Sequence, residues 1–93
     1  MAQINWTKLA LNDVDQIYGY IAKDSPHYAQ KTIEKFFERV LILQNFPRSG
    51  RIVPEFEIEN LRELIEGNYR IVYRIKKNKI DILRVHHSAK KMK

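Results

Sequence analysis

Gly67-Asn68-Tyr69-Arg70-Ile71-Val72-Tyr73-Arg74-Ile75-Lys76 alternates apolar and cationic side chains at the period of a β-strand. Successive side chains on a strand point to opposite faces, so Tyr69, Ile71, Tyr73 and Ile75 share one face while Arg70 and Arg74 flank Val72 on the other. The first face is suited to a core. The second displays fixed positive charge and is suited to phosphates, carboxylates or an acidic partner segment.

Working outward, Leu61 to Glu66 and Lys79 to His86 read as further strands, joined to this one through Gly67-Asn68 and Lys77-Asn78, two turn-compatible pairs. In the last strand Ile80 and Ile82 alternate with Leu83 and Val85, so both sides are apolar near its middle, which predicts a central place in the sheet. Upstream, Arg48 to Asn60 contains Gly50 and Pro54 and no regular period, and predicts a surface loop. Ala2 to Trp6 reads as an opening strand closed by Thr7, a helix N-cap. Lys8 to Lys23 places Ala10, Val14, Ile17 and Ile21 on one side of a helix, with Asp13, Asp15 and Gln16 away from it.

Asp24-Ser25-Pro26 starts a second helix, with Ser25 as cap and Pro26 at the first helical position, where its missing N–H costs nothing. That helix is expected to run to about Asn45, to bury Ala29, Ile33, Phe36, Phe37, Val40 and Leu41 or Leu43, and to end before Pro47. The order β-α-α-β-β-β over residues 1–93 predicts one α+β domain, a helical hairpin packed on one face of a small twisted, mainly antiparallel sheet. The arginine face is left open, and the end from Ser88 to Lys93 is expected to fray.

Size and charge narrow the function. A chain of 93 residues depends on a single core. The absence of cysteine excludes disulfides, thiolate zinc sites and cysteine nucleophiles, and three histidines with scattered carboxylates make a metal centre an unfavoured expectation; no cofactor is expected. No apolar run is long enough to cross a bilayer, and Met1 to Thr7 lacks the layout of a secretory signal, so no membrane role and a cytoplasmic location are expected. The net charge of +6 is lopsided: residues 62–93 carry +7 and residues 1–61 carry −1. Such a field favours polyanions, nucleic acid first and an acidic protein segment second, although the lysines around Lys76 to Lys79 and Lys90 to Lys93 also suit a solvated surface.

Four groups are candidates for chemistry. The first is Arg70 with Arg74, joined by Arg62 and Arg84 from the neighbouring strands; guanidinium forks can hold a phosphate and stabilise a pentacovalent transition state. The alternative for these arginines is ion pairing with Glu63, Glu66 or Asp81 across the sheet. The second is His86-His87, whose imidazoles titrate near neutrality and can protonate a leaving 5′-oxygen. The third is Arg48-Ser49-Gly50-Arg51 with Glu55, where the arginines can grip a backbone phosphate and Glu55 can deprotonate a ribose 2′-OH. The fourth is a set of aromatics, Trp6, Tyr18, Tyr20, Tyr28, Phe36, Phe37 and Phe46, most of them expected in the core and none assigned to base stacking.

Several stretches together resemble one known group. They are Ile4-Asn5-Trp6-Thr7 with Ala10, Tyr20-Ile21-Ala22, Asp24-Ser25-Pro26, Phe46-Pro47-Arg48-Ser49-Gly50-Arg51, Arg62-Glu63-Leu64, Gly67 to Arg74, and Arg84-Val85-His86-His87. In this order and spacing the chain resembles the RelE/ParE superfamily, the toxins of type II toxin–antitoxin modules, over almost its whole length. The resemblance implies a growth-inhibiting protein, of the kind linked to plasmid stabilisation, held inactive by a cognate antitoxin whose acidic C-terminal segment wraps it. It also implies that operator DNA is bound only through the antitoxin.

The superfamily divides on target. ParE-like members poison DNA gyrase by binding it, and the helical hairpin opening, the Gly-Arg loop and the Arg-Val-x-His strand end place this chain nearer to them. On that reading Arg62, Arg70, Arg74, Arg84 and His86 are binding residues. RelE-like members instead cut mRNA on the ribosome without metal, using the 2′-OH as nucleophile. Under that alternative Arg70, Arg51, His87 and Glu55 become catalytic candidates, with Arg62 an alternative second cation and His86 an alternative late histidine. Where several such nucleases carry a late catalytic tyrosine, this chain has Ser88-Ala89-Lys90.

Overall fold

The computed structural model describes residues 1–89. Much of the end expected to fray, Lys90 to Lys93, lies outside the described residues. The chain runs β1 (Gln3–Trp6), α1 (Lys8–Ala22), α2 (Pro26–Leu41), a 3-10 turn (Ile42–Gln44), β2 (Arg51–Ile52), β3 (Leu61–Glu66), β4 (Tyr69–Lys76) and β5 (Lys79–His87).

Both caps expected from the sequence are made. The Thr7 hydroxyl accepts from Ala10 N–H at 3.2 Å and the Ser25 hydroxyl from Tyr28 N–H at 3.1 Å, with Pro26 opening α2. The α-helix ends four residues before the expected Asn45, because the last turn tightens into 3-10 geometry and carries Leu43 into the core. Phe37, expected inside, stays substantially exposed, and of the alternatives Leu41 or Leu43 it is Leu43 that is buried.

The sheet has the order β1-β5-β4-β3-β2, antiparallel throughout except for the parallel β1–β5 pair. The segment expected to be irregular from Arg48 to Asn60 contributes β2, whose Arg51 and Ile52 pair with Glu63 and Arg62. Gly67 and Asn78 take the left-handed backbone that the two hairpin turns require. As expected, β5 is internal, between β1 and β4.

The double-sided apolar pattern of β5 has a specific cause. Its pairing with β4 jumps from Tyr73↔Ile82 to Val72↔Arg84, leaving Leu83 as an extra residue. That bulge shifts the alternation by one, so Ile80 and Ile82 before it and Val85 after it all reach the same core. With Phe36, Val40, Leu43, Leu64, Ile71 and Tyr73 they form one cluster beneath the helices. Each large side chain buried there contributes about 1.5–3 kcal/mol.

Candidate functional site

On the sheet face away from the helices, β4 presents Arg70 and Arg74, and the two have opposite fates. Arg74 is exposed, and its guanidinium makes no ion pair among the described residues. Arg70 is only 4 % exposed. Its Nε donates to Glu63 Oε1 at 2.6 Å, and its two terminal nitrogens donate to both oxygens of Glu55 at 2.8 and 2.7 Å. Glu63, fully buried on β3, also accepts from Arg51 Nε at 2.6 Å. The expectation of a displayed Arg70 is therefore corrected: two carboxylates face the guanidinium, and their hydrogen bonds, Glu55 first, outweigh burial and raise its pKa further.

Local structure explains how Glu55 arrives. After β2, Val53 is buried and its carbonyl accepts from both Phe56 and Glu57 N–H groups, closing a tight turn in which Glu57 takes left-handed geometry with φ of 54°. That turn folds Glu55 back over β4. A cavity of about 290 Å³ lies beside it, lined by Arg51, Glu55, Ile65 and Arg70. His86 stands directly across from Arg70 in the β4–β5 register and is buried.

Two other arginines depart from the expected open-face group. Register pairs Arg62 with Tyr73, whose side chain lies in the core, so Arg62 belongs to the helix side. There its guanidinium donates to the carbonyls of Glu59, Arg48 and Gly50 and to the Glu59 carboxylate, tying the β2 loop to β3. The Tyr73 hydroxyl reinforces this tie, accepting from Gly50 N–H at 3.0 Å and donating to Pro47 C=O at 2.6 Å.

Arg84 stands beside Val72 in register, but its head turns to the edge of β5. Strand β1 ends opposite Ile82, and beyond that point α1 runs along the edge. Asp13 of α1 accepts from Arg84 Nε and Nη2 at 2.8 and 3.0 Å and caps Val85 N–H at 2.9 Å. Burial pushes the Asp13 pKa up, but these hydrogen bonds prevail and hold it below the usual carboxylate range. Asp13, expected to point away from the core side, is thus 8 % exposed.

The structure brings together Arg51, Glu55, Arg70 and His86 from the sequence-derived candidates. It leaves Arg74 apart on the same face and sends Arg62 and Arg84 elsewhere. His87 sits on the helix side, its ring edge-on to Tyr69 at 5.7 Å, with Nδ1 accepting from Ala89 N–H. Most of the named aromatics were expected in the core; only Phe36 is buried outright, while Tyr18, Tyr20, Tyr28, Phe37 and Phe46 are exposed. The residues that organise the site and were not singled out as site residues are Glu63 and Asp13. The signal for Glu63 was its place next to Arg62, opposite the arginine strand; Asp13 directly precedes Val14 of the buried stripe. Among the described residues no His, Asp and Glu group is arranged to hold a metal ion.

This architecture, a helical hairpin on a mainly antiparallel sheet, is shared with solved chains of bacterial toxin–antitoxin systems. A chain of the chromosomal ParDE toxin–antitoxin system of P. aeruginosa superposes with a TM-score of 0.77 and 31 % identity, covering 94 % of this chain and 96 % of that one. A chain of the RelBE2 complex of Mycobacterium tuberculosis shares the fold, with a TM-score of 0.61 at 23 % identity over 92 % of this chain and 96 % of that one. Residues 4–92 match the family described as the ParE toxin of the type II toxin–antitoxin system parDE. Y4kP of Sinorhizobium fredii is 36 % identical over 92 % of this chain and 88 % of its own length. Toxin RelE2 of Caulobacter vibrioides is 33 % identical over 97 % of this chain and 99 % of its own length. The chain belongs to the ParE toxin family of type II toxin–antitoxin systems.

Proposed function

We propose that this toxin inhibits growth in the ParE manner, by binding and poisoning DNA gyrase, and not by cutting RNA. The observation that carries this reading is the enclosure of Arg70. A guanidinium that stabilises a phosphorane must meet it in the transition state, whereas here Glu63 and both oxygens of Glu55 face that guanidinium. The same bidentate bond engages Glu55, the candidate base. The cluster then serves as a rigid strut of the sheet, and Arg74, exposed farther along the same face, is the arginine offered to a partner.

The second partner in this reading is a cognate antitoxin. Its acidic C-terminal segment suits the net charge of +7 over residues 62–93, with charge steering encounter and apolar anchors holding the complex. Operator DNA is reached through that antitoxin, and the toxin acts in the cytoplasm; among the described residues no helix is long and apolar enough to cross a membrane.

One observation favours a RelE-like ribonuclease as the second reading: Arg51, Glu55 and Arg70 line the 290 Å³ cavity, and His86 stands across from Arg70 in the β4–β5 register. Inducible expression with labelled thymidine and methionine separates the two. The gyrase reading expects DNA synthesis to fail first with translation intact. Early collapse of methionine incorporation would give the site to RNA cleavage instead.

A further inference from the structure

At the end of the molecule where α1 finishes and α2 begins, two adjoining wells share one wall, the ring of Tyr69. The first, about 370 Å³, lies between α1 and β5, with Tyr20, Arg84 and His87 in its lining. The second, about 260 Å³, lies between α2 and the β3–β4 turn and is lined by Tyr28, Lys31 and Lys35. Tyr69 is held edge-on between Phe36 at 5.3 Å and His87 at 5.7 Å, so the dividing ring is fixed. Tyr20 and Tyr28 are 73 % and 63 % exposed, an unusual display for rings of that size. The acids bordering the wells are already engaged: Asp13 by Arg84, and Glu66 by Arg39 at 3.9 Å. Lys31 and Lys35 make no ion pair among the described residues.

We propose that this tyrosine-walled cleft binds single-stranded nucleic acid, with a base against the aromatic faces on either side of Tyr69 and backbone phosphates on Lys31 and Lys35. Exposed rings interleaved with unpaired cations are the arrangement that stacks bases without reading their sequence. An apolar peptide would find a better seat elsewhere: the wells have few aliphatic side chains, whereas Phe46, Pro47 and Ile75 line a largely apolar surface at the other end of β4. The cleft lies between the helices and the sheet and includes none of Arg51, Glu55, Glu63 and Arg70, although His86 borders its first well, and the inference holds whichever target the toxin poisons.

The test is fluorescence anisotropy of a labelled oligothymidylate with the purified full chain at low salt, for the wild type and three variants. Tyr20→Ala/Tyr28→Ala removes exposed rings without opening the core and is expected to weaken binding about tenfold or more, the scale of one lost stacked base. Lys31→Glu/Lys35→Glu is expected to weaken it further and to flatten its steep salt dependence. Lys77→Ala, in the β4–β5 turn at the far end of β4 from Tyr69, is expected to leave it unchanged. Absence of binding to the wild type, or binding that falls with salt yet is indifferent to the tyrosines, overturns the proposal. So does tighter binding of a labelled polyglutamate peptide that depends on the same tyrosines, which would assign the cleft to an acidic protein segment.

Discussion

Two arginine–carboxylate clusters pin β4 and β5, and they differ in how much water reaches them. Around Arg70 the side chains of Glu63 and Arg70 are 0 % and 5 % exposed, and each is held by partners from other segments. In the second cluster the Arg84 side chain is 32 % exposed and the Asp13 side chain 9 %. The first cluster has little recourse to solvent if one member is lost. The second can rehydrate, and its main duty is to cap a strand edge. A charge pair that closes a sheet face and a charge pair that seals a sheet edge therefore fail by different amounts.

The largest expected effect breaks the enclosed cluster. Arg70→Ala leaves Glu63 buried with only Arg51 to answer it, and is expected to lower unfolding stability in urea by about 3–5 kcal/mol. Gly50→Ala strikes the same region through shape: its Cβ would stand 2.6 Å from the Glu63 carbonyl oxygen and 2.7 Å from the Tyr73 hydroxyl. A loss of about 1–3 kcal/mol is expected, with backbone shifts visible in amide chemical shifts along β2 and β3.

At the edge cluster, Asp13→Ala strips the acceptor from Val85 N–H, with an expected loss of about 1–3 kcal/mol and faster amide exchange at Val85. The same carboxylate sets an acid limb. The folded pKa of Asp13 lies below its unfolded value near 3.9, so its contribution is complete above that value and is lost as pH falls through the folded pKa. Asp81 adds in the same direction, held low by its hydrogen bond from Asn5 and by Lys76 and Lys79 against the cost of burial. Stability should therefore fall below about pH 4, and less steeply in Asp13→Ala. The smallest effect is expected for Glu59→Gln, which weakens the pairs that this exposed carboxylate makes with Arg48 and Arg62; its cost should stay within about 1 kcal/mol and shrink with added salt.

The same contrast marks what could be read in advance. Caps, hairpin turns and strand order were legible because Thr7, Ser25, Pro26, Gly67 and Asn78 act on their immediate neighbours. The bulge at Leu83 was visible as a double-sided apolar run, but a central strand produces that pattern equally well. Alternation put Arg70 on the correct face and could not say what covered it, since Glu55 is delivered by a turn fifteen residues upstream. Cross-strand pairing with Glu63 was a foreseeable alternative and is the one realised. Arg62 was misplaced because its side depends on β3 register, which its own sequence specifies weakly. Most of the aromatic set was expected in the core and stays exposed, because helical spacing marks a stripe without saying how far the stripe extends beyond the sheet it covers.

Whether Arg70 is a strut of a toxin that acts on DNA gyrase is tested most directly by adding the purified protein to gyrase supercoiling a plasmid, with Arg70→Lys in parallel. Lysine keeps the charge facing Glu63, so the account predicts that both proteins inhibit supercoiling and leave ribosome-bound mRNA whole. Untouched supercoiling, together with mRNA cut by the wild type and spared by Arg70→Lys, would contradict it.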